Sequence, residues 1–281
     1  MNYLTCLKFN CTNLNIQFQM GNILNTFVFQ APACTGPQPD YIETIVVKNS
    51  EEDDYSITYY YKEHPSPKSN KLLIYSHGNS DSLCNPNLIQ RINQLSDELE
   101  VSIVCYDYLG YGWSRTHHKT SRAQQSCTEE LCYISLREVI NFFKVQHNLT
   151  DGDIILTGHS LGCGPVIELA SRDTYRSIIC ISPFTSVLEV GLGSSFVFDY
   201  APLADMFENK VKMKHIKCPV KILHGMTDNV IPFSHGKILQ SKVPEEFKTP
   251  FEAFKDTGHN EILNRTGFAY ILHEFIHSNQ N

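Results

Sequence analysis

The chain has 281 residues, 42% of them hydrophobic, and a formal net charge of −7 from 23 basic and 30 acidic side chains. A chain of this length buries roughly three quarters of its unfolded surface, so its core needs neither disulfide nor metal, and its 16 Phe and 14 Tyr exclude a disordered chain. Net acidity without a Lys/Arg cluster argues against nucleic-acid binding, and no run of about 18 apolar residues is present to span a bilayer as a helix.

Residues 1–40 read as an Asn-rich N-terminal tail ending in the Pro/Gly segment APACTGPQPD, and 41–281 as one α/β domain. Tyr41–Lys48 and Tyr55–Tyr61 suggest an antiparallel hairpin. Short apolar runs follow at Lys71–Ser76, Ser102–Tyr106, Asp153–Thr157, Ser177–Ile181, Val220–Leu223 and Pro250–Phe254. Runs of this kind are strands buried on both faces, as in a parallel sheet.

Helical patterns lie between the strands. Asn85 is an N-cap with Pro86 at the first helical position, leading into Leu88, Ile92, Leu95 and Leu99. Cys132, Leu136, Val139, Ile140 and Phe143 line one face between Gln124 and Gln146, and Phe268, Ile271, Leu272, Phe275 and Ile276 do so near the end. The alternation predicts a mostly parallel central sheet flanked by helices. Residues 183–218, after the sixth strand, are long for a simple connection. They form either a small cap, with Phe196, Phe198 and Tyr200 contacting substrate, or a crossover helix with an irregular loop.

The ten cysteines, at 6, 11, 34, 84, 105, 127, 132, 163, 180 and 218, form no CxxC pair and no metal-ligand spacing. Several sit in apolar segments, where a thiol acts as a small buried hydrophobe. The expectation is reduced thiols in an intracellular protein.

The chemistry concentrates in Gly158-His159-Ser160-Leu161-Gly162. An apolar strand precedes this G-x-S-x-G and an apolar helix follows it, the setting of a nucleophile elbow. A serine hydroxyl needs a base to take its proton and a carboxylate to orient that base, in the chain order Ser, Asp/Glu, His. Asp228 follows the Val220–Leu223 strand and His259 follows the last strand, so both reach the edge of the sheet where Ser160 stands. The Leu161 amide and the Asn79 amide, with Ser80 as the alternative, would hold the oxyanion. His77, His159, His224 and the His117/His118 pair read as structural.

Together SHGN (76–79), YDYLGYGWS (106–114), GHSLG (158–162), HGMTDNVIPFSHG (224–236) and TGHNEI (257–262) resemble the serine hydrolases of the α/β-hydrolase superfamily. More narrowly they are similar to the α/β-hydrolase domain-containing protein 17 subfamily. The resemblance implies an α/β-hydrolase fold and removal of palmitoyl thioesters from protein cysteines at membranes. It carries Ser160, Asp228 and His259 over as the triad, with Asp107 and Tyr111 as scaffold. The chain departs from the pattern at His159, where the subfamily usually has Gln, and in lacking a dense N-terminal cysteine cluster.

Met20-Gly21-Asn22-Ile23-Leu24-Asn25-Thr26 resembles an N-myristoylation site, if translation starts at Met20, or is an ordinary internal Met-Gly. One such chain binds membrane only marginally. Phe27, Val28 and Phe29, or an acylated Cys34, would add the second anchor to Gly21. The resulting expectation is a cytoplasmic, peripherally membrane-associated serine acyl hydrolase acting on an acylated protein. Its rivals are a lipid esterase for monoacylglycerols or lysophospholipids, and a non-catalytic membrane-tethered module. No metal, organic cofactor or nucleic-acid partner is expected.

Overall fold

The structure, a computed structural model, describes residues 28–32, 34–48, 54–66, 70–117, 126–191 and 205–278. Among them nine strands form one sheet: β1 (Glu43–Val47), β2 (Asp54–Lys62), β3 (Leu72–Ser76), β4 (Ser102–Tyr106), β5 (Arg115–His117), β6 (Ile154–His159), β7 (Ser177–Ile181), β8 (Val220–Gly225) and β9 (Glu252–Phe254). Their order is β1-β2-β4-β3-β6-β7-β8-β9, with β5 paired to β2. β1 and β2 pair antiparallel, as do β2 and β4, whereas β4 through β9 along that order are parallel.

The apolar runs become central strands because alternate side chains feed two cores. Ile74, Val104, Leu156, Ile178 and Ile222 join one cluster, while Leu73, Ile103, Ile155, Ile179 and Leu223 join the other. The first face is covered by α2 (Glu129–Gln146) and α3 (Cys163–Arg172), through residues such as Leu136, Phe143, Val166 and Leu169. The second is covered by α1 (Pro86–Leu99) and the C-terminal helix Phe268–His277, through Leu88, Ile92, Leu272 and Phe275. Asn85 caps α1 as expected, its side chain accepting from the Asn87 amide, and Pro86 opens the helix. The second helix starts at Thr128, which accepts from the Leu131 amide, a little later than the periodicity suggested.

Two features depart from the sequence reading. β5 was not expected, and it makes β7 the seventh rather than the sixth strand before the 183–218 segment. A three-residue strand on an antiparallel edge carries too short a pattern to be recognised. His117, read as structural, lies in this strand, bonded to Ser56 Oγ at 2.7 Å, and His118 lies outside the described residues.

The 183–218 segment leaves and re-enters the fold through a pinned stem. The Val187 amide of α4 (Val187–Gly191) donates to the Met206 carbonyl, and the Lys210 amide of α5 (Asn209–Lys212) donates to the Thr185 carbonyl. Phe207, at φ 53° and fully buried, plugs this stem between the rings of Phe29, Tyr133 and Phe184. Phe196, Phe198, Tyr200 and Gly21 lie outside the described residues.

The second departure is Cys34, expected as a free thiol. It forms a disulfide with Cys84, 50 residues away, across a Cα–Cα distance of 5.6 Å. Sequence spacing gave no sign of this pair, because it exists only once the N-terminal segment folds back over the loop after β3. Among the described residues the other cysteines, at 105, 127, 132, 163, 180 and 218, are free and buried, as expected.

Candidate active site

The chain leaves β6 through Ser160, whose φ of 53° is a left-handed conformation that few residues other than glycine adopt. Such a residue costs on the order of 1–3 kcal/mol and persists only where its surroundings impose it. Two glycines impose it here. A Cβ on Gly158 would overlap the Gly162 carbonyl, and one on Gly162 would overlap the Ser76 carbonyl at the end of β3. The turn then enters α3, completing the strand–turn–helix arrangement.

Asp228 lies in the loop after β8. Its Oδ1 accepts from the amides of Val230 at 2.9 Å and Ile231 at 2.8 Å, and its Oδ2 accepts from His259 Nδ1 at 2.7 Å. Burial would raise this carboxyl, yet hydrogen bonds from His224, His259 and the Ile231 amide hold it well below the usual carboxylate range. The loops bearing Asp228 and His259 are tied together, since the Met226 amide donates to the Phe254 carbonyl and the Thr227 amide to the Thr257 carbonyl. The Asp228 bond makes Nδ1 the protonated nitrogen of His259 and leaves Nε2 as the basic one.

His159, directly before Ser160, is buried with its ring 5.2 Å from that of His259. Burial and the neighbouring His259 depress its pKa to about 3, so it stays neutral. The Cβ of Ser160 stands 3.7 Å from the β-position of Gly78, in the loop after β3 that also carries Asn79. Among the described residues, neither the Asn79 nor the Leu161 amide donates to a protein acceptor. Asp228 is thus bonded to His259, whose ring faces His159, the residue before Ser160, and the Gly78–Asn79 loop lies against Ser160; all of these stand past the carboxyl ends of parallel strands.

Supporting residues complete it. His77 is fully buried, with Nε2 3.3 Å from Asp107 Oδ1; burial disfavours its cation, but Asp107 outweighs this and raises its pKa. Asp107 also accepts from the Leu83 amide, and Tyr111 donates from its hydroxyl to Asn79 Oδ1 at 2.6 Å. His224, read as structural from the sequence, has a specific bracing role here. Its Nε2 donates to the Ile231 carbonyl at 2.9 Å and lies 3.4 Å from Asp228 Oδ2, so it braces the loop that presents the carboxylate. Its i, i+4 spacing to Asp228 was the available signal. Among the described residues no three His, Cys, Asp or Glu side chains gather as metal ligands, and no helix is long and apolar enough to cross a membrane.

Comparisons with known proteins agree with this fold. A family model described as the α/β hydrolase fold matches residues 71–197. L404 of Acanthamoeba polyphaga mimivirus, an α/β hydrolase by name, is 36% identical over 205 residues, covering 73% of this chain and 72% of its own. The α/β hydrolase domain-containing protein 17C of Xenopus laevis is 29% identical over 214 residues, covering 75% of this chain and 63% of that protein. Human domain-containing protein 17B is 28% identical over 216 residues, covering 75% and 68%. The chain therefore spans somewhat less than two thirds of the Xenopus relative's length. Among solved structures, the Pyrococcus furiosus esterase Pf2001 superposes with a TM-score of 0.63 at 13% identity, over 88% of this chain and 97% of that one, a likeness of fold. The sequence match and the shared architecture lead to one conclusion: this chain belongs to the α/β-hydrolase family and, within it, resembles the domain-containing protein 17 members.

Proposed function

We propose that this protein is a serine acyl hydrolase whose triad is Ser160, His259 and Asp228. The observation that carries the reading is the 2.7 Å Asp228–His259 bond beside a serine forced to φ 53° at a strand–turn–helix. His259 Nε2 takes the Ser160 proton as the hydroxyl attacks an acyl carbonyl, and the imidazolium that forms is stabilised by Asp228. The Asn79 and Leu161 amides hold the oxyanion, each worth roughly 3–4 kcal/mol of transition-state stabilisation. His259 then protonates the leaving group and activates the water that releases the acid. The neutral His159 places no second positive charge beside this imidazolium.

The preferred substrate is a long-chain thioester on a protein cysteine, a reading supported by the resemblance to the domain-containing protein 17 members. Phe196, Phe198 and Tyr200 would contact the acyl chain, and Gly21 would carry a lipid that brings the enzyme to a membrane on the cytoplasmic side. With Cys34 engaged to Cys84, no free thiol remains there for acylation while the bond stands.

The test is labelling with a fluorophosphonate probe, which wild type accepts and Ser160→Ala does not. Unlabelled wild type would overturn the reading in favour of a non-catalytic module. Comparing kcat/KM on a palmitoylated peptide and on monoacylglycerols then identifies the substrate; a large preference for the glycerol ester would make the protein a lipid esterase.

A further inference from the structure

The N-terminal segment is built into the oxyanion side of the site. The Asn79 carboxamide reaches it in two places: Oδ1 accepts from the Gln30 amide at 3.0 Å, and Nδ2 donates to the Val28 carbonyl at 2.6 Å. The same Oδ1 accepts from Tyr111, so one side chain joins the segment, the loop after β3 and the turn after β4. Between those two bonds Phe29 meets the Phe207 ring edge-on at 6.1 Å, linking the segment to the stem of the 183–218 insertion. Further along, Cys34 is bonded to Cys84, in the turn that leads from the same loop into α1. The loop is therefore held against the segment at both of its ends, by Asn79 and by Cys84.

We propose that Val28–Pro32, with Cys34, is a strap that positions the oxyanion loop through the Asn79 side chain, and that the Cys34–Cys84 bond is its latch, so that turnover follows the thiol–disulfide state of this pair. The proposal rests on the reading of the Asn79 amide as an oxyanion donor; the side chain is a positioning group for that amide. Opening the latch takes a two-electron dithiol reductant. Its thiolate attacks one sulfur, the Cys34–Cys84 bond breaks through a mixed disulfide, and two protein thiols are released as the reductant closes into a cyclic disulfide. The strap then keeps its Asn79 hydrogen bonds and the packing of Val28 and Phe29 but loses its covalent tie to the turn before α1, and the loop amides lose a fixed direction. An oxyanion donor acts by being in place before charge develops, so the loss falls on the chemical step.

The experiment uses the full chain in four forms: oxidised, treated with dithiothreitol, Cys84→Ser and Asn79→Ala, with Cys34→Ser as a second latch variant. Hydrogen exchange is followed in residues 77–81, and kcat and KM are measured on a p-nitrophenyl ester. Reduction and either latch variant should speed exchange in the loop and lower kcat about tenfold with KM nearly unchanged, a part of the ~100-fold or greater loss that removing one donor brings. Neither latch variant should respond further to dithiothreitol. Asn79→Ala, which keeps its backbone amide, should lower kcat in the same way. Equal loop exchange in the oxidised, reduced and latch-variant proteins overturns the strap. Latch-dependent exchange with no hydrolysis in any form supports the strap and overturns the hydrolase reading instead.

Discussion

Asp228→Asn tests the triad with little disturbance to the fold. The carboxylate divides its work between two oxygens: Oδ1 accepts from the Val230 and Ile231 amides, and Oδ2 accepts from His259. An asparagine must keep its carbonyl on the two backbone N–H groups, because turning it round would set an NH2 against two donors. Its amide nitrogen then faces His259 Nδ1 as a donor, and the imidazole answers by moving its proton to Nε2. That tautomer cannot take a proton from Ser160. The inverted tautomer in a comparable triad lowers kcat by about 10⁴, which corresponds to about 5.4 kcal/mol in the barrier. The assay is kcat on a p-nitrophenyl ester at neutral pH, with circular dichroism to show that the variant is folded. A folded variant that loses less than tenfold in kcat would refute the assignment of Asp228 as the residue that orients His259.

Two other outcomes follow from the same geometry. Because the folded Asp228 carboxyl lies below its ordinary value of 3.8, the stability it contributes is fully present above that pH and is lost as pH falls through the folded value. The gap in urea midpoint between wild type and Asp228→Asn should therefore shrink between pH 7 and pH 3, and curves that stay parallel would contradict the hydrogen-bond account. Phe207→Ala empties a fully buried site between Phe29, Tyr133 and Phe184, and should cost about 3–5 kcal/mol in urea denaturation. A loss below about 1 kcal/mol would mean that the stem of the insertion is not part of the core.

Much of this protein is local in its sequence. Ile and Leu runs that must be covered on both faces specify the parallel strands, and Asn85-Pro86 specifies a helix start through one side chain and one fixed φ. The order Ser160, Asp228, His259 was legible for the same reason. Each residue follows a strand whose apolar pattern marks where the sheet ends, and parallel strands bring those ends to one edge.

What tertiary structure alone decided are relations between residues that no periodicity links. β5 is three residues long and is a strand only because β2 lies beside it. His224 reads as the end of a strand until the loop after β8 folds back and brings Asp228 and the Ile231 carbonyl to its ring. Phe207 reads as one aromatic among several until Phe29 and Phe184 close around it. Cys34 and Cys84 carry no spacing rule, and they meet because Asn79 holds Val28 and Gln30 against the loop. Hydrophobic patterning specifies which face of an element is buried. Hydrogen bonds and disulfides between distant segments depend on where two such elements come to rest, and that is known only when the whole chain is packed.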